Sequence, residues 1–473
     1  MNVFATKMDI FMRRSAPRAF WFLAIILFPI TTPPFLPLGN VVAKPISLIF
    51  MLFLLFILLA TGNYRLKKVI SYELMLLLIF AFVAVLTGVL HWQFFDLFNS
   101  EQGMANYLRA LPTLIIGCGF YLTFRAMNLD KVELNSSELI IQWAMMASIG
   151  IEILQAAADT IFPFLLPLVV SIDTALVEVS FTWTERYHGL AYEPSWLGEQ
   201  LLLICIPLSL SRVVSGRSLG IFRLPVLRIP LRKEAFFLFM SVIGVILSGS
   251  RSALFGLLLI SLGTGLLYFV KNRHGMLNLR SVMKVILLAG VCLAGFLFAV
   301  SNDYVLSAFI AVISASSFDE LARMGNFGPR ASLWLTSFQV FLANPFFGVG
   351  LGGAEIYYAD FVPDWVLNVP EVQGWLAGEG RANPKNLITR LLSETGLVGF
   401  LIFLSFVLQH FRGPGDLRHQ YLKVAMVAGF IVFSFQSDTF ALPTLWFALG
   451  FLYLSGKYSA QRLVAPARNV SQA

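Results

Sequence analysis

Apolar stretches of roughly 19 residues, each able to cross a hydrocarbon core of about 30 Å, recur about a dozen times along this chain. They fall near 19–31, 45–62, 70–90, 108–124, 139–158, 196–211, 234–248, 252–270, 283–300, 396–410, 421–437 and 441–456. An open sheet edge cannot face lipid, and the alternating pattern of outer-membrane strands is absent, so these stretches read as helices. Only 13% of the 473 residues are charged and 58% are hydrophobic, which excludes a soluble globular domain. The expected fold is an all-α polytopic membrane protein of about twelve transmembrane helices.

The first run follows Lys7, Arg13, Arg14 and Arg18, as a secretory signal would. Pro29 interrupts it, and "TTPPFLPLG" offers no small-x-small cleavage site, so it is expected to remain as a first helix. Cys118, Cys205 and Cys292 lie in apolar runs and lack C-x-x-C or Cys/His spacing. Neither a disulfide framework nor a zinc site is expected.

The formal net charge of +8 invites a nucleic-acid reading, but its distribution follows alternate loops. The groups around Arg13, Arg65, Arg125, Arg212 to Lys233, Lys271 to Lys284, Arg412 and Lys457 fall on one side if helices alternate. The positive-inside rule then places both termini in the cytoplasm of a bacterial inner-membrane protein. By subtraction Lys44, Arg109, Arg186, Arg251, Arg323, Arg330, Arg381, Lys385 and Arg390 face outward, and topology does not account for them.

Arg251 sits in "SGSRSALFG", after an apolar run of about fifteen residues that spans only about 22 Å as a helix. Its guanidinium is expected near the acyl boundary, at the depth of lipid phosphates.

The expected organisation is helices one to five over 1–171, an outward loop over 172–195, helices six to nine over 196–300, a large outward loop over 301–395, and helices ten to twelve with a tail over 396–473. A loop as long as 301–395 is usually functional. Within it, "GPRASLWLTSFQVFLANP" reads as an interfacial helix that starts at Pro329 and ends at Asn344, with Arg330 in its first turn beside oriented N–H groups that suit an anion. "FFGVGLGG" has G-x-G-x-x-G spacing, yet it follows a helix and opens none, so it reads as a flexible turn rather than a dinucleotide site. There is no D-x-D pair, Walker loop or H-E-x-x-H, so no metal and no cofactor are expected.

Four stretches in order, "RYHGLAYEPSWLGEQL", "SGSRSALFGLLL", "RASLWLTSFQVFLANPFFGVGLGG" and "NPKNLITRLLSETGLVGFLIFL", resemble the O-antigen ligase and O-antigen polymerase superfamily over roughly 180–410. The resemblance implies a membrane glycosyltransferase of the GT-C type that takes sugar chains from undecaprenyl diphosphate at the periplasmic face. It implies Arg186, Arg251 and Arg330 as the groups that hold the lipid diphosphate. A flippase and a chain-length regulator of the same pathway are the implied partners. In the ligase branch a histidine stands just ahead of an asparagine; the matching residues here are Lys385 and Asn386. A lysine near its usual pKa of about 10.4 is a poor base at neutral pH. "AYEPSWLGEQL" looks more like the polymerase branch.

Two candidates for the general base, Glu193 and His188, lie beside Arg186, although Glu193 also reads as a helix N-terminal acid and His188 as a plain loop residue. Asn386, Arg390 and Glu394 recur at i, i+4 and i+8, and so form either a site wall with Lys385 or a local ion pair. A lipid-linked oligosaccharide flippase or other transporter is the rival from a different class, with Glu152 as its lone midplane acid. Against it, the two halves show no self-similarity and the unexplained cations concentrate on one face.

Overall fold

The computed structural model describes residues 15–35, 44–61, 71–94, 101–127, 129–178, 186–223, 230–271, 327–379, 381–437 and 439–464, with isolated positions between 310 and 320. Helices occupy every expected stretch except 283–300, which lies outside the described residues, as does Arg323. They are α1 (Ala16–Ile26), α2 (Ile46–Ala60), α3 (Tyr72–Phe94), α4 (Glu101–Ala126), α5 (Lys131–Thr160), α6 (Leu166–Leu176), α7 (Pro194–Ser215), α8 (Lys233–Leu247) and α9 (Arg251–Lys271). There follow α10 (Phe327–Ala343), α11 (Tyr358–Phe361), α12 (Pro370–Leu376), α13 (Leu387–Phe411), α14 (Leu417–Gln436) and α15 (Pro443–Val464).

Six of these helices, α3, α4, α5, α7, α9 and α13, are long and apolar enough to cross a membrane. Phe56, Phe82, Leu262 and Leu266 point outward at 61–68% exposure, a surface that only lipid tolerates at this density. The chain is a polytopic, mostly helical membrane protein.

At its centre stands α7, whose apolar window is 89% buried, against 33% for α9 at the edge. It turns once in π geometry over Leu201–Cys205, and Gln142 of α5 donates to the Cys205 carbonyl at 3.1 Å. Around it, α14 lies between α7 and α9, α8 packs on α5, and α3 packs on α13. Trp21 of α1 is fully buried and donates to Ser137 of α5 at 2.8 Å, so the first helix is part of the core.

Ion pairs and hydrogen bonds sort the loops into two ends. At one end Arg18 meets Glu133 at 2.5 Å, Arg217 meets Asp416 at 2.8 Å, and Arg212 and Arg418 share the buried Glu138. At the other end Lys44 meets Glu178 at 3.0 Å, Tyr187 donates to Asp159 at 2.9 Å, and Lys385 meets Glu371 at 3.6 Å. Among the described residues these pairs join only segments that alternation puts on the same side. We call them the basic end and the loop end.

Three local features depart from the sequence reading. A two-stranded antiparallel ribbon, β1 (Ile221–Arg223) with β2 (Pro230–Arg232), adds a little sheet at the basic end. Helix α6 precedes the outward loop; Pro163 and Pro167 hide it from a periodicity scan, and its 11 residues are too few to span. The loop expected to run to 395 already becomes helical at Leu387, because the Asn386 side chain caps it by accepting from Ile388 N and Thr389 N.

Helix α13 is broken at Gly396, where φ is 64° and ψ is −171°. The break is matched by the segment after α10. Leu397 N and Val398 N donate to the carbonyls of Pro345 and Phe346, while Ser393 O and Glu394 O accept from Val349 N and Gly350 N. Both frayed helix ends are thereby satisfied within the protein. A Cβ at 396 would lie 2.3 Å from the Phe346 carbonyl carbon, so Gly396→Ala combines a left-handed backbone with a collision against main chain. It should lower stability by at least about 2 kcal/mol. Gly119→Ala, in a helical position with nothing within 4 Å, should leave the melting temperature of the detergent-solubilised protein unchanged or slightly raised.

Candidate functional site

The loop end gathers the residues singled out in the sequence. Its floor is the turn 186–193, held from below by one face of α5. Ser148, Glu152, Gln155 and Asp159 recur at spacings of four, three and four, so they line one face of the helix. Ser148 accepts from Leu190 N at 3.0 Å. Gln155 Oε1 accepts from both His188 N and Gly189 N, and its Nε2 donates to Asp173 and to the Gly189 carbonyl. Gly189 has φ 58°, and a Cβ there would lie 2.6 Å from the Ser148 carbonyl oxygen, so this close seat accepts only glycine. In the sequence that α5 stripe shows only as a spacing of polar residues.

His188 is fully buried, and its Nε2 lies 3.6 Å from Asp173 Oδ2, too far for a hydrogen bond. Burial pushes its imidazole down to about 4 and pushes the Asp173 carboxyl up to about 6. The imidazole is neutral and enclosed, with no route to an outside hydroxyl in this conformation. Glu193 is half-buried and is the N-cap residue of α7; its Oε2 accepts from Ser195 at 2.9 Å. Of the two candidate bases, only Glu193 reaches the surface. Glu152 is buried with no hydrogen-bond partner among the described residues, wedged beside Gly244 of α8.

Arg186 and Arg251 belong to segments that touch. Tyr187 N donates to Leu247 O at 3.3 Å, and Gly198 of α7 sits so close to the "SGSRSA" turn that a Cβ would lie 2.7 Å from Ala253 Cβ. Helix α8 has 15 residues, the length expected, and Gly249 at φ 55° turns the chain into α9, which Arg251 opens with an exposed side chain. Ser252 donates to Gln436 at the end of α14, and the neighbouring Phe435 contacts Trp334 of α10 with ring centroids 6.2 Å apart. Arg330, half-buried, lies one turn before Trp334. Helix α10 starts at Phe327, two residues earlier than expected. The three arginine-bearing segments thus meet around the loop ends of α7 and α14.

The fourth stretch builds the neighbouring wall. Lys385 has φ 47°, which turns the chain into α13, and its ammonium reaches Glu371 at 3.6 Å and the Trp375 ring at 5.5 Å. Asn386 spends its carbonyl oxygen on the helix cap. Arg390 and Glu394 form a buried ion pair at 3.1 Å.

The "FFGVGLGG" segment is an anchored turn. Gly348, Gly350 and Gly352 all have positive φ, and their Cα positions lie against α13, α3 and α4: a Cβ would come within 2.5 Å of Ser393 O, 2.7 Å of Gly88 Cα and 2.7 Å of Asn106 O, respectively. Beyond it comes Glu355, a residue the sequence did not flag. Burial pushes its carboxyl above the ordinary value, while Arg381 and Arg109 pull against that.

Residues 236–404 match the O-antigen ligase family. The matched stretch contains Arg251, Arg330 and the Lys385 to Glu394 wall; Arg186, His188 and Glu193 precede it. No curated protein matches the chain.

The burial of His188 has a measurable consequence. An unfolded chain protonates it from pH 6.5 downward, whereas the folded protein resists until about 4. Its contribution to stability is therefore fully present above pH 6.5 and is lost as pH falls through about 4. His188→Gln should flatten the melting temperature against pH across that window.

Proposed function

We propose that this chain is a polymerase of surface-polysaccharide repeat units, a glycosyltransferase that uses undecaprenyl-diphosphate-linked oligosaccharides at the periplasmic face of the inner membrane. The observation that carries this reading is the meeting of the Arg186, Arg251 and Arg330 segments at one end of a membrane bundle whose 236–404 stretch matches the O-antigen ligase family.

In the proposed reaction a hydroxyl oxygen of the acceptor sugar attacks the anomeric carbon of the donor chain. The new C–O bond forms as the bond from that carbon to the diphosphate oxygen breaks, and undecaprenyl diphosphate departs. Arg251, Arg330 and Arg186 grip the departing diphosphate, whose charge grows as the bond breaks. Glu193 takes the proton of the attacking hydroxyl; half-buried at the loop end, it suits that role better than the enclosed His188 does. Lys385, Asn386, Arg390 and Glu394 form the wall behind the anchored turn, engaged by Glu371, the α13 cap and each other.

The matched family's own description favours a second reading, transfer of finished chains onto lipid A core. The two diverge in a null strain. Loss of a polymerase leaves a single repeat capped on lipid A, or removes long exopolysaccharide, while loss of a ligase piles up long chains on undecaprenyl diphosphate.

Orientation is tested by fusions. With both termini cytoplasmic, alkaline phosphatase joined near Gly353 should be active and joined near Arg223 inactive; the opposite pattern would put the arginines on the wrong side. The clamp is tested by complementation at matched membrane protein levels. Arg186→Ala, Arg251→Ala and Arg330→Ala should each cost about a hundredfold in chain extension, or about 3 kcal/mol, while Arg223→Ala costs little. Arg251→Lys should fail as well, because an ammonium cannot make a forked, bidentate grip.

A further inference from the structure

Thr31 lies far in sequence from every residue given a part in the reaction above, in the short stretch that follows α1, and it is fully buried. Its hydroxyl oxygen accepts from Tyr192 N at 2.9 Å, and Tyr192 directly precedes Glu193. Thr31 is itself fixed. Its carbonyl accepts from Lys44 N at 2.9 Å, the Thr32 carbonyl accepts from Glu178 N at 2.9 Å, and the Lys44 ammonium closes on Glu178 at 3.0 Å. Lys44 is one of the outward cations that topology does not explain, and here it locks the stretch after α1 onto the chain leaving α6.

The turn 186–193 is thereby held from two directions. Its first part leans on α5, where Gln155 accepts from His188 N and Gly189 N and Ser148 accepts from Leu190 N, and Ala191 N donates back to the His188 carbonyl. Its last part leans on Thr31. Beyond Tyr192 the chain is fixed by α7: the Glu193 carbonyl accepts from Trp196 N at 3.0 Å and Leu197 N at 3.3 Å, and the Tyr192 ring packs on Trp196 with centroids 5.3 Å apart. Glu193 keeps extended backbone, with φ −130° and ψ 151°, as a residue ahead of proline prefers. Its side chain does not turn back to cap the helix, and Oε2 accepts from Ser195 instead. The direction of that carboxylate follows the Tyr192–Glu193 main chain, which Thr31 fixes from outside α5 and α7.

We propose that Thr31 is a positioning residue for the transfer step, holding Glu193 where its carboxylate takes the proton of the attacking hydroxyl. The proposal rests on the transferase reading above. It gives the N-terminal part of the chain, which lies outside the matched stretch 236–404, a share in the site. Thr31 acts through Glu193 and not on the substrate. A reacting group displaced by about 1 Å loses on the order of a hundredfold in rate, so the Thr31 hydroxyl acts on turnover and leaves diphosphate binding alone.

The test uses the full-length protein in nanodiscs, with lipid-linked repeat extracted from a null strain as substrate and undecaprenyl diphosphate alone as the binding probe. Thr31→Val, nearly isosteric, removes the acceptor for Tyr192 N; it should lower kcat by about tenfold or more, with the dissociation constant of undecaprenyl diphosphate unchanged. Thr31→Ala carries the same expectation and takes its place should the valine variant fail to insert. Thr31→Ser keeps the hydroxyl and should keep kcat close to wild type. Ser137→Ala is the reference for loosened packing, since it removes the buried bond from Trp21 of α1 without reaching the turn, and it should leave kcat unchanged. Wild-type kcat without the hydroxyl, an equal loss in Ser137→Ala, or a comparable loss in Thr31→Ser would overturn the positioning role and leave the transferase reading standing. Unchanged kcat in Glu193→Gln would overturn the base and the positioning role together. A wild-type protein that joins no lipid-linked repeats would overturn the transferase reading itself.

Discussion

A break in a membrane helix exposes carbonyls on one side and N–H groups on the other, and lipid satisfies neither, at several kcal/mol per group. Helix α13 has such a break at Gly396, and the loop end of this protein is organised around repairing it. Residues 345–350 supply two acceptors and two donors, one for each exposed partner. That repair fixes the position of the anchored turn. The turn in turn lies against α3 and α4 and carries Glu355, while the first half of α13 carries the Arg390–Glu394 pair. Remove the match at Gly396 and both the wall and the turn lose their reference point.

The floor of the site rests on the same logic in another form. A loop buried at 187–191 needs partners for its N–H groups, and the α5 stripe of Ser148 and Gln155 supplies three of them. Arg186 and Glu193 flank this pinned turn, so two of the proposed functional groups sit on rigid backbone. Arg251 begins α9 after a tight turn packed on Gly198, and Arg330 lies in the first turns of α10, so the proposed diphosphate grip also draws on ordered elements. Preorganised donors cost no reorganisation when charge develops on a leaving group, which is what a diphosphate departure asks of them.

Much of the fold was legible because apolar run length reports directly on a bilayer. Helix α8 shows it best: a 15-residue run was counted from the sequence and a 15-residue helix is present. The sequence was less informative where satisfaction of polar groups, rather than burial, decides structure. Helix α13 was expected from 396, the position of its break, because its first turns carry Thr389, Arg390, Ser393 and Glu394 and do not look like a span. The glycines of "FFGVGLGG" read as freedom, yet they permit close backbone contact with three helices. His188 read as a loop residue beside Arg186, but the main-chain bonds to Gln155 draw it into the interior. Glu355 carried no motif at all; of the two guanidiniums that act on its carboxyl, Arg109 comes from a distant helix.

A cryo-electron microscopy map of the full-length protein with undecaprenyl diphosphate bound would test the diphosphate clamp most directly. Phosphate density within hydrogen-bond distance of the Arg251 guanidinium, with Arg186 and Arg330 turned toward it at the loop end, is the expected result. Phosphate density at the basic end beside Arg212 and Arg418, or at the loop end with Arg251 pointing away, would contradict it.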